Sequence, residues 1–417
     1  MSDLQSSAGT ARVRRRNPAR IGEVFLVFLK LGLTSFGGPI AHLGYFRQEF
    51  VVHRAWLGDK AYSDVVALCQ FLPGPASSKV GIALGTSRAG LLGGLAAWIG
   101  FTMPSALALI AFGYGVASFG GLSESGVVHG LKVAAVAVVA QAVWGMARNL
   151  CPDAKRASLA VFSALLVLAW PTATGQIAAI VISGLIGKWT MTDAPAAPHA
   201  PHGFGVSKTT GVVAWILFFA LLIGLPLLSR SFPSHALAMF DSFYRSGSLV
   251  FGGGHVVLPL LRAEVVPPGW VTDNVFLAGY GAAQAVPGPL FTFSAYLGTV
   301  MIQPPNGWLG GMLCLIAIFL PSFLLAIGPL PFWEALRGHH AIQTALRGIN
   351  AAVVGLLLAA LYDPVWVSAI KSRGDVALAL AAFGLLMFWK VSPVVVVAFA
   401  AVGGWLLASG LALPGLL

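Results

Sequence analysis

A chain that places Gly and Pro inside strongly apolar stretches, twice and at matching positions, has few folds open to it. Phe36-Gly37-Gly38 is followed by Arg47, Glu49, Trp56 and Gln70-Phe71-Leu72-Pro73-Gly74-Pro75. Phe251-Gly252-Gly253 is followed by Arg262, Glu264, Trp270 and Gln284-Ala285-Val286-Pro287-Gly288-Pro289. The copies lie 215 residues apart at the first string and 214 apart at the second. In a membrane, interruptions at corresponding positions of two halves point to broken helices around a substrate site between two repeats.

Composition supplies the membrane. Of 417 residues, 57% are hydrophobic and 9% are charged, and the mean hydropathy is +0.84. A soluble domain carries about 25% charged residues, so most of this surface must face lipid. Strand-period alternation is absent, which argues against a β-barrel. The fold class expected is an all-α polytopic membrane protein with two inverted-topology repeats and broken or re-entrant half-helices.

The net charge of +11 does not suggest nucleic acid, because the basic residues sit in short loops and at segment ends. The exception is the run Arg12, Arg14, Arg15, Arg16 and Arg20, which precedes the first apolar segment and reads as a cytoplasmic anchor. It resembles the start of a signal peptide, but no small-residue cleavage site follows, so the segment is expected to be retained. Cys69, Cys151 and Cys314 are scattered and read as small core residues, with no metal site.

Residues 1–20 are expected to be a disordered basic N-terminus. Repeat 1 is assigned to 21–188, a Pro/His-rich cytoplasmic connector to 189–209, a linking transmembrane helix to 210–229 and repeat 2 to 236–411. Segments such as 21–36, 39–52, 61–72 and 76–90 are shorter than the ~20 residues a crossing needs and read as half-helices. Irregular backbone at membrane depth is tolerated only when buried in protein or lining a polar cavity. Gly93-Gly94 matches Gly310-Gly311, Pro104 matches Pro321, and Gly130-Leu131-Lys132 matches Gly348-Ile349-Asn350. The segment 210–229 has no counterpart, and one extra crossing inverts the second repeat. Loop charges agree: Arg88 faces an uncharged counterpart, and the basic loop around Arg148, Lys155 and Arg156 faces one balanced by Asp363 and Asp375. The positive-inside rule then puts the N-terminus and connector in the cytoplasm and the C-terminus outside.

The interruptions carry the candidate chemistry. A helix N-terminus exposes unpaired N–H groups and about half a positive charge, which suits an anion. Gly74-Pro75 and Gly288-Pro289 each fit a helix start, with Gly at the cap and Pro at the first helical position. Pro39, Pro73 and Pro287 also break the apolar runs. Hydroxyls follow: Ser77 and Ser78 in one copy, Thr292 and Ser294 in the other, with Lys79 adding a cation. Four half-helix ends, including Phe36-Gly37-Gly38 and Phe251-Gly252-Gly253, are expected to converge on one midplane site. Lys30 and Arg245 stand six residues before the two Phe-Gly-Gly strings, where a cation costs about 2.5–3.5 kcal/mol at a helix centre. They read as anion-binding cations, with snorkelling the alternative for Lys30. Arg47 and Arg262 read as anion-attracting or ion-paired. Glu49, Glu264 and, secondarily, Asp64 read as proton-coupling candidates. Gln70 and Gln284 could bond a free carbonyl or the substrate. His42 and His255 are read as structural rather than proton-transferring. There is no P-loop, His-Glu-x-x-His or nucleophile elbow, so neither an ATPase nor an enzyme is expected, and no catalytic residue or cofactor is assigned.

Phe-Gly-Gly-Pro with a downstream Arg-x-Glu, then Gln-x-x-Pro-Gly-Pro, in two copies over about 21–411, resembles the chromate ion transporter family in its long, two-domain form. Gly348-Ile349-Asn350-Ala351-Ala352-Val353-Val354-Gly355 and Leu361-Tyr362-Asp363-Pro364-Val365-Trp366 are similar to it too. Gly254, where repeat 1 has Pro39, is a departure. The resemblance implies chromate efflux across a bacterial inner membrane, chromate resistance, and drive from the membrane potential or protons. It also implies sulfate as a competitor, since both are tetrahedral dianions. The residues alone lead to an anion-binding secondary transporter and leave open a sulfate or other oxyanion carrier, or an anion channel. A homodimer is permitted by small-residue pairs such as Gly90 and Gly93.

Overall fold

The computed structural model describes residues 18–35, 38–118, 125–191, 206–250, 254–332 and 340–409. The expected disordered N-terminus, up to residue 17, and most of the connector, residues 192–205, lie outside the described residues. Helices account for nearly all of the rest, and no strand occurs among the described residues.

The first half comprises α1 (Pro18–Thr34), α2 (Gly38–Arg47), a π-helical turn (Gln48–His53), α3 (Asp59–Phe71) and α4 (Ala76–Ser118), followed by α5 (Gly126–Leu150), α6 (Ala154–Ala169) and α7 (Ala173–Thr190). The linking helix is α8 (Lys208–Ser231). The second half comprises α9 (His235–Leu249), α10 (Val257–Val265), α11 (Asp273–Ala285), α12 (Phe293–Thr299), α13 (Gly307–Ile327), α14 (His340–Ala360), α15 (Arg373–Met387) and α16 (Pro393–Ala408). The element order repeats, because the breaks fall at the same places. Leu72-Pro73-Gly74-Pro75 ends α3 and Val286-Pro287-Gly288-Pro289 ends α11. Within α4 the backbone leaves helical geometry at Ala89 and Gly90, where the sequence reading placed a boundary. The corresponding break in the second half is the loop between α12 and α13.

Among the described residues, five helical stretches are long and apolar enough to cross a membrane, α8 among them with a mean window hydropathy of 2.6. On α8, Ile216 is 61% exposed and Ile223 63%. An apolar surface of that kind is stable against lipid and a liability in water. The inner side of α8 packs on α9 and α13, where the Tyr244 hydroxyl donates to the Phe218 carbonyl at 3.0 Å.

The halves are interleaved rather than side by side. Helices α6 and α7 of the first half pack on α14 of the second, and α15 and α16 pack on α5 of the first. Both exchanges depend on glycine. A Cβ on Gly130 of α5 would strike the Ala400 carbonyl of α16, and one on Gly348 of α14 would strike the Ser183 carbonyl of α7. Small residues let helix backbones approach this closely, which is how helices associate in lipid without a hydrophobic driving force. Equivalent helices also meet antiparallel at the centre. Trp98 of α4 stacks edge-on against Phe319 of α13, with ring centroids 5.7 Å apart. At the other end the Trp308 amide donates to the Tyr114 hydroxyl at 2.7 Å. One apolar core runs through α4, α5 and α9 to α14, so neither half is packed independently of the other.

Candidate functional site

Each of the two Pro-Gly-Pro turns bonds backbone of the other half. The Gly74 amide donates to the Val250 carbonyl at the end of α9, at 2.6 Å. The Gly288 amide donates to the Ser35 carbonyl at the end of α1, at 2.9 Å. Both glycines have positive φ, +96° and +102°, a region L-residues rarely occupy. A Cβ on Gly74 would come 2.9 Å from the Ser322 hydroxyl, and one on Gly288 2.8 Å from the Ser105 hydroxyl. Each serine follows the proline that interrupts its helix, Pro321 in α13 and Pro104 in α4. The half-helix ends expected to converge therefore meet in reciprocal pairs. Phe36, Gly37, Phe251, Gly252 and Gly253 lie outside the described residues, and Gly38 opens α2 at φ +76°.

The turn amides are occupied, which corrects the expectation that Gly74 and Gly288 present open N–H donors. What remains for an anion is the first turn of the helix after each break, whose first N–H groups have no intrahelical acceptor. Here the halves differ. In repeat 2 the Thr292 hydroxyl donates to the Pro289 carbonyl and the Ser294 hydroxyl to the Phe291 carbonyl, each at 2.8 Å. These hydroxyls are spent within their own turn. In repeat 1 the Ser77 hydroxyl lies 3.3 Å from His42 Nδ1. The Ser78 hydroxyl, 3% exposed, finds no partner among the described residues.

Lys79 is fully buried, yet it does not face the helix N-terminus as expected. Its ammonium turns back to the Leu72 and Pro73 carbonyls, which α3 leaves unsatisfied where it stops. The cation caps the C-terminal end of α3 at the break, where carbonyl dipoles favour it. Repeat 2 has Phe293 at this place and no such cation. Lys79→Met should lower the stability of the solubilised protein by about 1.5–3 kcal/mol, the value of a charged hydrogen bond. An unchanged thermal unfolding midpoint would remove this role.

The symmetric cations Lys30 and Arg245 have different surroundings. Lys30 is exposed, as snorkelling requires, though within electrostatic reach of Glu49. Arg245 is clamped. Its Nη1 and Nη2 donate to Glu264 at 2.8 and 2.9 Å, and its Nε donates to Asp241 at 3.1 Å. Its fork is filled by protein carboxylates, so the expectation of an open anion-binding cation at Arg245 is corrected. Glu49 accepts from Arg54 at 2.7 Å and lies 3.5 Å from His53. The Asp64 side chain lies outside the described residues.

Arg47 donates to Asp59 at 2.7 Å and Arg262 to Asp273 at 2.8 Å, so both are ion-paired. Each ties the end of a half-helix to the first turn of the next, where an acid also suits the helix dipole. Asp59 and Asp273 escaped the sequence reading, although they stand 214 residues apart like the turns themselves. The same signal, at 217, marks Ser105 and Ser322. The glutamines differ too. Gln70 is exposed, whereas the Gln284 amide nitrogen is buried and has no partner among the described residues. The Tyr280 hydroxyl lies 2.8 Å from His255 Nδ1. Among the described residues no cluster of His, Cys, Asp or Glu could hold a metal, and the three cysteines are free.

Known proteins place this architecture. A family model described as chromate transporter matches residues 22–188 and again 237–405. The chain is 28% identical over 400 residues to a chromate transport protein of Pseudomonas aeruginosa, covering 93% of each chain. It is 28% identical over 400 residues to one of Cupriavidus metallidurans, covering 92% of each. An uncharacterized transporter of Bacillus subtilis, YwrB, is 31% identical over 173 residues, which is 40% of this chain and 85% of that one. A relative of that length corresponds to one half of the chain. No solved structure matches. With both halves matched by one family model, on helices apolar enough to cross a membrane, the chain belongs to the chromate transporter family.

Proposed function

We propose that the protein is a secondary transporter that exports chromate from the cytoplasm across the bacterial inner membrane and so confers chromate resistance. The observation that carries this is the reciprocal bonding of the two Pro-Gly-Pro turns to the opposite halves, beside buried hydroxyls, in a chain of this family. Two broken helices meeting head to tail give a substrate a place near the midplane. The antiparallel meeting of equivalent helices supports opposite orientation of the two repeats, and the loop charges favour a cytoplasmic N-terminus and an external C-terminus.

Energetics favour export. A dianion leaving a cell with a negative interior gains about 4.6 kcal/mol per 100 mV, twice the value for one charge. Glu49 and Glu264 are the carboxylates through which protons could add to this drive. Sulfate, of the same shape and charge, is the expected competitor.

Everted membrane vesicles containing the protein should accumulate chromate against its gradient when energised, with saturation, and less of it when sulfate is added. Absence of uptake under an imposed potential or pH gradient would sink the proposal. Uptake of sulfate without chromate would reassign the substrate, and flux that only runs downhill would make the protein a channel.

A further inference from the structure

The two halves are matched in backbone but not in chemistry around the turns. In repeat 1, Ser35 ends α1, His42 lies on α2, and Ser77 and Ser78 open α4. The equivalent residues of repeat 2 are Val250, Val257, Phe291 and Thr292. Three polar groups thus face three apolar ones across the pseudo-symmetry. The fourth pair is hydroxyl against hydroxyl, but Thr292 is spent on its own helix.

The repeat 1 groups are buried and partly unused. Ser35 is 0% exposed, His42 1% and Ser78 3%. Their atoms Oγ, Nε2 and Oγ find no hydrogen-bond partner among the described residues. An unsatisfied buried polar atom costs free energy, and a cluster of them needs a reason. The cluster adjoins the Gly288 turn. The Ser35 carbonyl receives the Gly288 amide, and the His42 ring packs edge-on against Phe101 at 5.3 Å. The Phe101 carbonyl is 3.3 Å from where a Gly288 Cβ would stand. The N-terminus of α4 lies alongside, since Ser77 is the partner of His42 Nδ1.

Resting on the reading of the protein as an oxyanion transporter, we infer that the oxyanion is held off the pseudo-symmetry axis, in the repeat 1 half, with His42 as a principal donor. In the tautomer in which the Ser77 hydroxyl donates to Nδ1, the imidazole carries its proton on Nε2, with the ring beside the Ser35 backbone. That N–H, the Ser35 and Ser78 hydroxyls and the first amides of α4 are then all donors. Such a set suits a fully ionised tetrahedral dianion, which offers only acceptors. Repeat 2 supplies the Gly288 turn as the opposing wall. His255 does not duplicate the arrangement, because its Nδ1 engages the Tyr280 hydroxyl at 2.8 Å.

The test is chromate binding by equilibrium dialysis to purified full-length protein in lipid nanodiscs, with sulfate competition. His42→Leu should weaken chromate binding about 10- to 100-fold, the span of a hydrogen bond to a charged group. His42→Gln, which keeps an N–H donor, should stay within about threefold by the same reasoning. Val257→Ala, at the equivalent place in repeat 2, should stay within about twofold. Where His42→Leu does not give folded protein, Ser78→Ala carries the test and should weaken binding by about fivefold or more. Wild-type affinity in His42→Leu, or in Ser78→Ala where it stands in, overturns the inference while leaving the transporter reading in place. So does an equal loss in Val257→Ala. Failure of the wild-type protein to bind either chromate or sulfate overturns both.

Discussion

Replacing Gly74 or Gly288 with leucine is expected to abolish chromate transport in each case, by about 100-fold or more, while insertion and expression persist. Three costs add at each site. An L-residue at these positive φ values carries roughly 1–3 kcal/mol of strain. The new side chain meets Ser322 or Ser105 at under 3 Å, and overpacking costs about 1–3 kcal/mol more. The backbone must then shift, which loosens the amide's bond to Val250 or Ser35 of the other half. At 1.4 kcal/mol per factor of ten, about 3 kcal/mol is already 100-fold. Gly224→Leu on α8 is the control. A Cβ there meets nothing within 4 Å, so transport should be near normal. Both turn variants transporting chromate like the wild type would show that the turns only shape the chain.

The turns were legible because Gly and Pro act locally. A Pro-Gly-Pro string stops a helix wherever it falls, and apolar length then fixes what remains. The breaks at Gly74, Gly288 and Ala89–Gly90, and the unmatched helix α8, follow from that. Partners across the fold were not legible. Arg245 and Glu264 are 19 residues apart and meet only because α9 and α10 fold back on each other. Thr292 and Ser78 look interchangeable in sequence. One is spent on the Pro289 carbonyl because α12 starts as a tighter 3₁₀ turn at Leu290–Thr292. The other opens a regular helix and stays available. The exchange of α6 and α7 for α15 and α16 leaves no local trace at all, since Gly130 and Gly348 read only as small residues in apolar helices.

Duplication also explains why Lys30 and Arg245 looked alike and are not. The repeat preserves a basic residue at this place, but Asp241 in repeat 2 corresponds to Leu26 in repeat 1. Arg245 is consequently held by two carboxylates and lies in a cluster of net charge −1, whereas Lys30 stays at the surface. A cation so enclosed contributes to the fold before it contributes to any substrate.

Arg245→Met is therefore expected to be among the most destabilising single changes in the chain. Asp241 and Glu264 have side chains only 6% and 12% exposed. Without the guanidinium they are left as two nearby buried carboxylates. Breaking a buried pair by removing one partner costs about 3–5 kcal/mol, and like charges add to that. The thermal unfolding midpoint of the solubilised protein should fall by many degrees. Adding Glu264→Gln to Arg245→Met should recover part of the loss, because one of the stranded charges is gone. Glu264→Gln alone should be milder, since Arg245 keeps Asp241. Lys30→Met should change stability by no more than about 0.5 kcal/mol, as for an exposed side chain. Equal midpoints for Arg245→Met and Lys30→Met would refute the carboxylate clamp and return Arg245 to the list of cations free to meet an anion. A drop with Arg245→Met that Glu264→Gln deepens rather than relieves would show that the Glu264 carboxylate accepts from another donor besides Arg245.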